Sequence, residues 1–101
     1  MKHGLSEETI TKLKQVFHHY AQIQQAVLYG SRAKGTHTPG SDIDLVLKGE
    51  SLTLEDLLRL RVDLDKLNLP YSIDLSIYNQ IQEPDLLDHI HRVGTVIYEK
   101  E

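Results

Sequence analysis

Hydrophobic positions change period several times along this chain, and each change marks an element. Between Ser6 and Tyr20, the residues Ile10, Leu13, Val16, Phe17 and Tyr20 recur at helical spacing and form one apolar stripe. Ser6 suits the N-cap, Glu7 and Glu8 suit the positive end of the helix dipole, and Leu5 can staple onto Ile10. Ala26-Val27-Leu28-Tyr29 is wholly apolar and predicts a buried strand that stops at Gly30. The segment GSRAKGTHTPGS holds three glycines and one proline, which predicts a loop with one short helix starting at Ser31. Within it, Thr38-Pro39-Gly40-Ser41 has Pro and Gly where a type II turn takes them. Alternation then sets in from Asp42 to Leu47. Ile43, Leu45 and Leu47 face one way, and Asp42, Asp44 and Val46 face the other.

Helical spacing returns from Thr53 to Leu67, with Leu54, Leu57, Leu58, Leu60, Leu64 and Leu67 as the expected apolar face. Thr53 caps this helix, Asp56 stands three residues on, and Leu52 can pack on Leu57. Asn68 and Pro70 end it. Tyr71 to Ile77 alternates again, with Tyr71, Ile73, Leu75 and Ile77 apolar and Ser72, Asp74 and Ser76 polar. Pro84 opens a last helix whose stripe is Leu86, Leu87, Ile90 and Val93, and Gly94 fits the C′ position beyond it. Thr95 to Tyr98 is β-prone and predicts a terminal edge strand. The order helix, strand, short helix, strand, helix, strand, helix, strand predicts an α/β (α+β) fold, a mixed β-sheet flanked by helices.

Composition narrows the function. With 101 residues the chain is expected to be a single domain, 1–101, with one core and no room for a second substrate-binding unit. Eleven Lys plus Arg against fifteen Asp plus Glu leaves a net charge of -4, unsuited to gripping extended nucleic acid. The absence of cysteine excludes a disulfide scaffold, a thiolate metal site and a thiol nucleophile. No run of some 18 apolar residues exists, and MKHGLSEETI lacks the apolar core of a signal peptide, so the expectation is a cytoplasmic protein without a membrane partner.

The candidate chemistry lies in Gly30-Ser31, ten intervening residues, then Asp42-Ile43-Asp44. Residues two apart in a strand project together, so Asp42 and Asp44 form a carboxylate pair of hard oxygen ligands suited to Mg²⁺. Gly30 lets a phosphate approach the backbone, and the amides of a helix start with the Ser31 hydroxyl can donate to it. A Gly-Ser turn or an Asp-x-Asp strand is by itself ordinary surface. Their joint spacing is expected by chance in roughly one chain per thousand of this length. Asp74 lies on the polar face of the next alternating strand, and an antiparallel neighbour would carry it to the same place. Gly30 to Thr36 is no P-loop, because no lysine follows the second glycine. His89-x-His91 and His18-His19 diverge on a helix and make poor metal pairs. Tyr29 is expected to complete strand packing.

LYGSRAKG followed by SDIDLVL resembles the minimal nucleotidyltransferase (MNT) domain of the polymerase-β-like superfamily. The resemblance implies the polymerase-β-like nucleotidyltransferase fold and transfer of a nucleoside monophosphate from a nucleoside triphosphate, with AMP from ATP as the expected pair, and release of pyrophosphate. By the same resemblance Gly30 and Ser31 hold the β- and γ-phosphates; Arg32 and Lys34, within the same loop, could neutralise the triphosphate tail or stand as a surface charge pair. Asp42, Asp44 and Asp74 are the catalytic residues and hold two Mg²⁺ ions, with Asp74 helping to deprotonate the acceptor hydroxyl. Stand-alone MNT proteins pair with a HEPN-domain toxin, which implies a hetero-oligomeric antitoxin that adenylylates a tyrosine of its partner. Two other readings stay open on the sequence. One is an antitoxin that neutralises its partner by steric cover; the other is a small-molecule adenylyltransferase with a detached accessory subunit.

Overall fold

The computed structural model describes residues 2–101. Helix α1 (Glu7–His18) starts where Ser6 accepts a hydrogen bond from the Thr9 amide at 3.1 Å. Strand β1 (Gln25–Tyr29) runs directly into the short helix α2 (Gly30–Lys34), followed by strand β2 (Ile43–Lys48). Helix α3 (Leu54–Asp65) opens on a capping box in which Thr53 and Asp56 bond reciprocally. Strand β3 (Ile73–Ile77), a 3₁₀ turn (Tyr78–Gln80), helix α4 (Pro84–Val93) and strand β4 (Thr95–Glu99) complete the chain. No described helix is long and apolar enough to cross a membrane.

The strands form one mixed sheet in the order β3-β2-β1-β4. β1 is antiparallel to both β2 and β4, whereas β2 and β3 are parallel. The antiparallel neighbour expected for the Asp74 strand is therefore corrected. Helix α3 crosses between β2 and β3 and returns the chain to its starting end, so the two strands must run the same way.

One face of the sheet carries the main core. Ala26, Leu28, Ile43, Leu45, Leu47, Leu75, Ile77 and Ile97 pack against Leu13, Val16 and Phe17 of α1 and Leu60 and Leu64 of α3. The opposite face has a smaller cluster, Val27, Tyr29, Val46 and Ile90, beneath α4. Alternation along β2 thus sorts Ile43, Leu45 and Leu47 into the main core, and puts Asp44 with Val46 on the α4 face.

Three local expectations need correction. Leu54 and Leu58 are 60% and 55% exposed, so α3 rests on Leu57, Leu60, Leu64 and Leu67 alone. Only part of its leucine-rich circumference can meet the sheet. At Thr38–Ser41 the Ser41 amide bonds the Thr38 carbonyl at 3.0 Å, but Gly40 does not take the positive φ of a type II turn. Gly94 ends α4 at φ -58°, and its missing side chain instead makes room for the Ile90 carbonyl and Val27.

These placements separate two classes of leucine on one helix. Leu60→Ala should lower stability by about 2–5 kcal/mol, because it opens a cavity in the main core. Leu54→Ser and Leu58→Ser should each stay within about 0.5 kcal/mol of wild type in urea unfolding.

Candidate active site

The site forms where three strand ends meet on the α4 face. β1 ends at Tyr29 opposite Asp44 of antiparallel β2, so the Gly30 turn arrives beside the Asp44 carboxylate. The parallel pairing then sets Asp44 directly against Asp74. Asp42 precedes β2 by one residue and is exposed, as is Asp74, while Asp44 is half-buried.

Gly30 is the tightest point. Its φ is +77°, and a Cβ there would overlap the Asp44 carboxylate. Two constraints therefore demand glycine, the left-handed backbone and the close approach of an acid. The approach expected from a phosphate is made in the free protein by Asp44.

Burial, reinforced by like charge, sets the electrostatics. Burial pushes the Asp44 carboxyl above its ordinary range, Asp74 and Asp42 push it further, and His89 partly opposes them. The Tyr29 hydroxyl is also raised, first by burial and then by Asp74 and Asp44, against a lowering contact from Ser76. A half-buried carboxyl whose ionised form is disfavoured, with two further acids beside it, is a donor set that suits a hard divalent cation. Among the described residues, no three His, Cys, Asp or Glu side chains already stand at metal-binding proximity. The carboxylates share a face and a field, and a bound cation would have to draw them together.

The basic residues of the loop divide sharply. Lys34 is exposed at the end of α2. Arg32, expected to neutralise the triphosphate tail, is buried and only 1% exposed. Its guanidinium donates to the Ser41 carbonyl at 2.9 and 3.2 Å, to His3 at 2.8 Å and to Pro39 at 3.3 Å. Four of its five N–H donors go to backbone carbonyls, and burial closes the guanidinium to a phosphate.

His89 is the residue that sequence reasoning missed. Its Nε2 accepts the Gly30 backbone N–H at 3.0 Å, and its ring meets Tyr29 edge-on at 6.2 Å. It lies on α4 beside the apolar stripe, where a histidine has no distinguishing spacing. Only the packing of α4 across the end of β1 brings it to the site.

The site is thus a strand-end glycine turn that faces acids on two parallel strands. The sequence profile described as polymerase beta, nucleotidyltransferase matches residues 11–101, and the chain belongs to that family. Curated protein sequences give no significant match. Among solved structures, a toxin–antitoxin with AMP-PNP is 22% identical, with a TM-score of 0.71, covering 96% of this chain and 76% of that one. A tri-AMPylated HEPN toxin in complex with MNT antitoxin from Shewanella oneidensis is 15% identical, with a TM-score of 0.69, covering 95% and 74%. The toxin–antitoxin MntA-HepT is also 15% identical at a TM-score of 0.69, covering 94% and 74%. At these identities the likeness is one of fold.

Two outcomes test this geometry. Gly30→Ala should lower stability by roughly 1–2 kcal/mol from the backbone alone, with a further steric cost from Asp44. That second part should vanish in an Asp44→Ala background, a coupling that a double-mutant cycle in urea measures. Separately, a raised Asp44 carboxyl means folding favours its protonated form. Its ionisation costs stability as pH rises through the folded value, and the cost is absent below the unfolded value. Asp44→Asn should therefore raise the Tm of the metal-free protein at pH 7 and gain less at about pH 3, below the ordinary carboxylate value.

Proposed function

We propose that the protein is a Mg²⁺-dependent adenylyltransferase that moves AMP from ATP onto a tyrosine hydroxyl of a partner HEPN toxin. It would act in the cytoplasm as that toxin's antitoxin. The observation that carries this reading is the register pairing Asp44 with Asp74 beside the Gly30 turn. Family membership supports the transferase chemistry, and the shared fold with AMP-PNP-bound and AMPylated toxin–antitoxin complexes supports the acceptor.

Asp42, Asp44 and Asp74 would hold two Mg²⁺ ions, which when bound neutralise the phosphates and favour ionisation of the acceptor hydroxyl. Gly30 and Ser31 hold the β- and γ-phosphates. A phosphate oxygen that accepts the Gly30 N–H takes the place of His89 Nε2, so nucleotide entry releases that imidazole. Lys34 supplies an exposed cation for the triphosphate tail, a role Arg32 does not share. Asp74, on the open edge strand, faces the incoming acceptor and takes its proton. The acceptor oxygen then bonds to the α-phosphorus as the bond to the bridging oxygen breaks, and pyrophosphate leaves.

The deciding assay follows AMP from α-labelled ATP onto a co-purified HEPN partner. Asp74→Asn should bind Mg²⁺–ATP within a few-fold of wild type yet label the partner about 10²–10⁴ times more slowly. Equal labelling rates would remove Asp74 from the reaction. Full neutralisation of the toxin by the Asp42→Asn, Asp44→Asn double variant would instead favour an antitoxin that works by steric cover.

A further inference from the structure

We infer that Arg32 is a positioning residue that holds the phosphate turn, the metal-binding strand and the acceptor-side strand at their working separation. The inference rests on the nucleotidyltransferase reading of the site and adds to it a residue that touches no substrate. Arg32 is among the largest fully buried side chains of the protein. Among the described residues, none of the ion pairs includes it. A buried cation without a carboxylate is expensive unless its donors are met, and here backbone carbonyls meet four of the five.

The segments that supply those carbonyls are the ones that need alignment. Arg32 follows Ser31 directly, inside α2. Its fork closes on the carbonyl of Ser41, the residue before Asp42, and on Pro39 in the same turn. The guanidinium carbon sits 4.7 Å from the centre of the Tyr71 ring, three residues before Asp74. The fourth tie is the amino-terminal turn. Lys2 and Leu5 exchange backbone hydrogen bonds around His3 and Gly4, and both turn residues take positive φ. There the His3 carbonyl accepts from Arg32, and His3 Nδ1 lies 3.0 Å from the Arg32 carbonyl. One side chain thus bridges the ten-residue loop between Ser31 and Asp42 and lies against the entry to β3.

Lysine cannot reproduce this. Its ammonium is a point donor without the planar fork that serves Ser41 and His3 together and lies flat on Tyr71. An anchor that served only global stability would lose site geometry no faster than any other core residue. An alignment role predicts disproportionate loss at the site, because a misplacement of about 1 Å can cost on the order of a hundredfold in rate.

The test compares Arg32→Lys with Leu13→Ala, a core variant in α1 far from the loop, at a temperature where both are folded. Hydrogen exchange reads the amides of residues 36–42, and calorimetry reads binding of Mg²⁺ with a non-hydrolysable ATP analogue. Arg32→Lys should exchange at least about tenfold faster in that loop than wild type. It should also bind the analogue about tenfold more weakly, with Leu13→Ala near wild type in both. Similar loop exchange in the two variants would overturn the inference. If wild type fails to bind the analogue, the proposed function falls while loop exchange still decides the role of Arg32. Should Arg32→Lys not fold, Tyr71→Leu carries the same comparison, since it removes the ring beneath the guanidinium and leaves the carbonyls in place. Loop exchange in Tyr71→Leu no faster than in Leu13→Ala would then overturn it.

Discussion

Acids crowded at the end of a sheet repel one another, and the arrangement around this site follows from holding them there. The parallel register of β2 and β3 sets Asp44 against Asp74, and Asp42, one residue before β2, adds its charge. Among the described residues no salt bridge includes these acids, and Asp44 is left with its ionised form disfavoured. The neighbours are fitted to it. Gly30 gives up its side chain to the Asp44 carboxylate, and His89 brings an imidazole to the Gly30 amide. A site with unfavourable charge in the free protein is one that gains by taking up a cation.

The sheet separates this unfavourable chemistry from the source of stability. One face is closed by α1 and α3 over a continuous apolar core, while the other buries little beyond Val27, Tyr29, Val46 and Ile90. β1 and β2 lie at the centre and carry apolar residues on both faces, so they stay rigid even where their ends bear acids. The acids of β2 and β3 thus stand on a frame whose burial is elsewhere. β3 is an edge strand, which leaves Asp74 open to an incoming group.

Arg32 and His89 show how position decides the use of a charged or polar side chain. A cation beside a glycine turn invites a phosphate-binding role, yet Arg32 turns inward and satisfies carbonyls from two other segments. A histidine on an amphipathic helix invites no role, yet His89 lands on the amide at the centre of the site.

Much of this protein was legible in its residues because the relevant forces are local. Periods of 3.6 and 2 mark the helices and strands, and Ser6 and Thr53 cap as their side-chain chemistry requires. What pairs with what was not local. An alternating strand pairs as well antiparallel as parallel, and only the crossover through α3 sets Asp74 against Asp44. A leucine at helical spacing is buried only if something lies opposite, so Leu60 is enclosed while Leu54 and Leu58 meet solvent. The directions of Arg32 and His89 depend on carbonyls and amides supplied by distant segments, and no spacing along the chain encodes those. Local periodicity determined the elements; the through-space neighbours that surround Asp44 exist only once the sheet has formed.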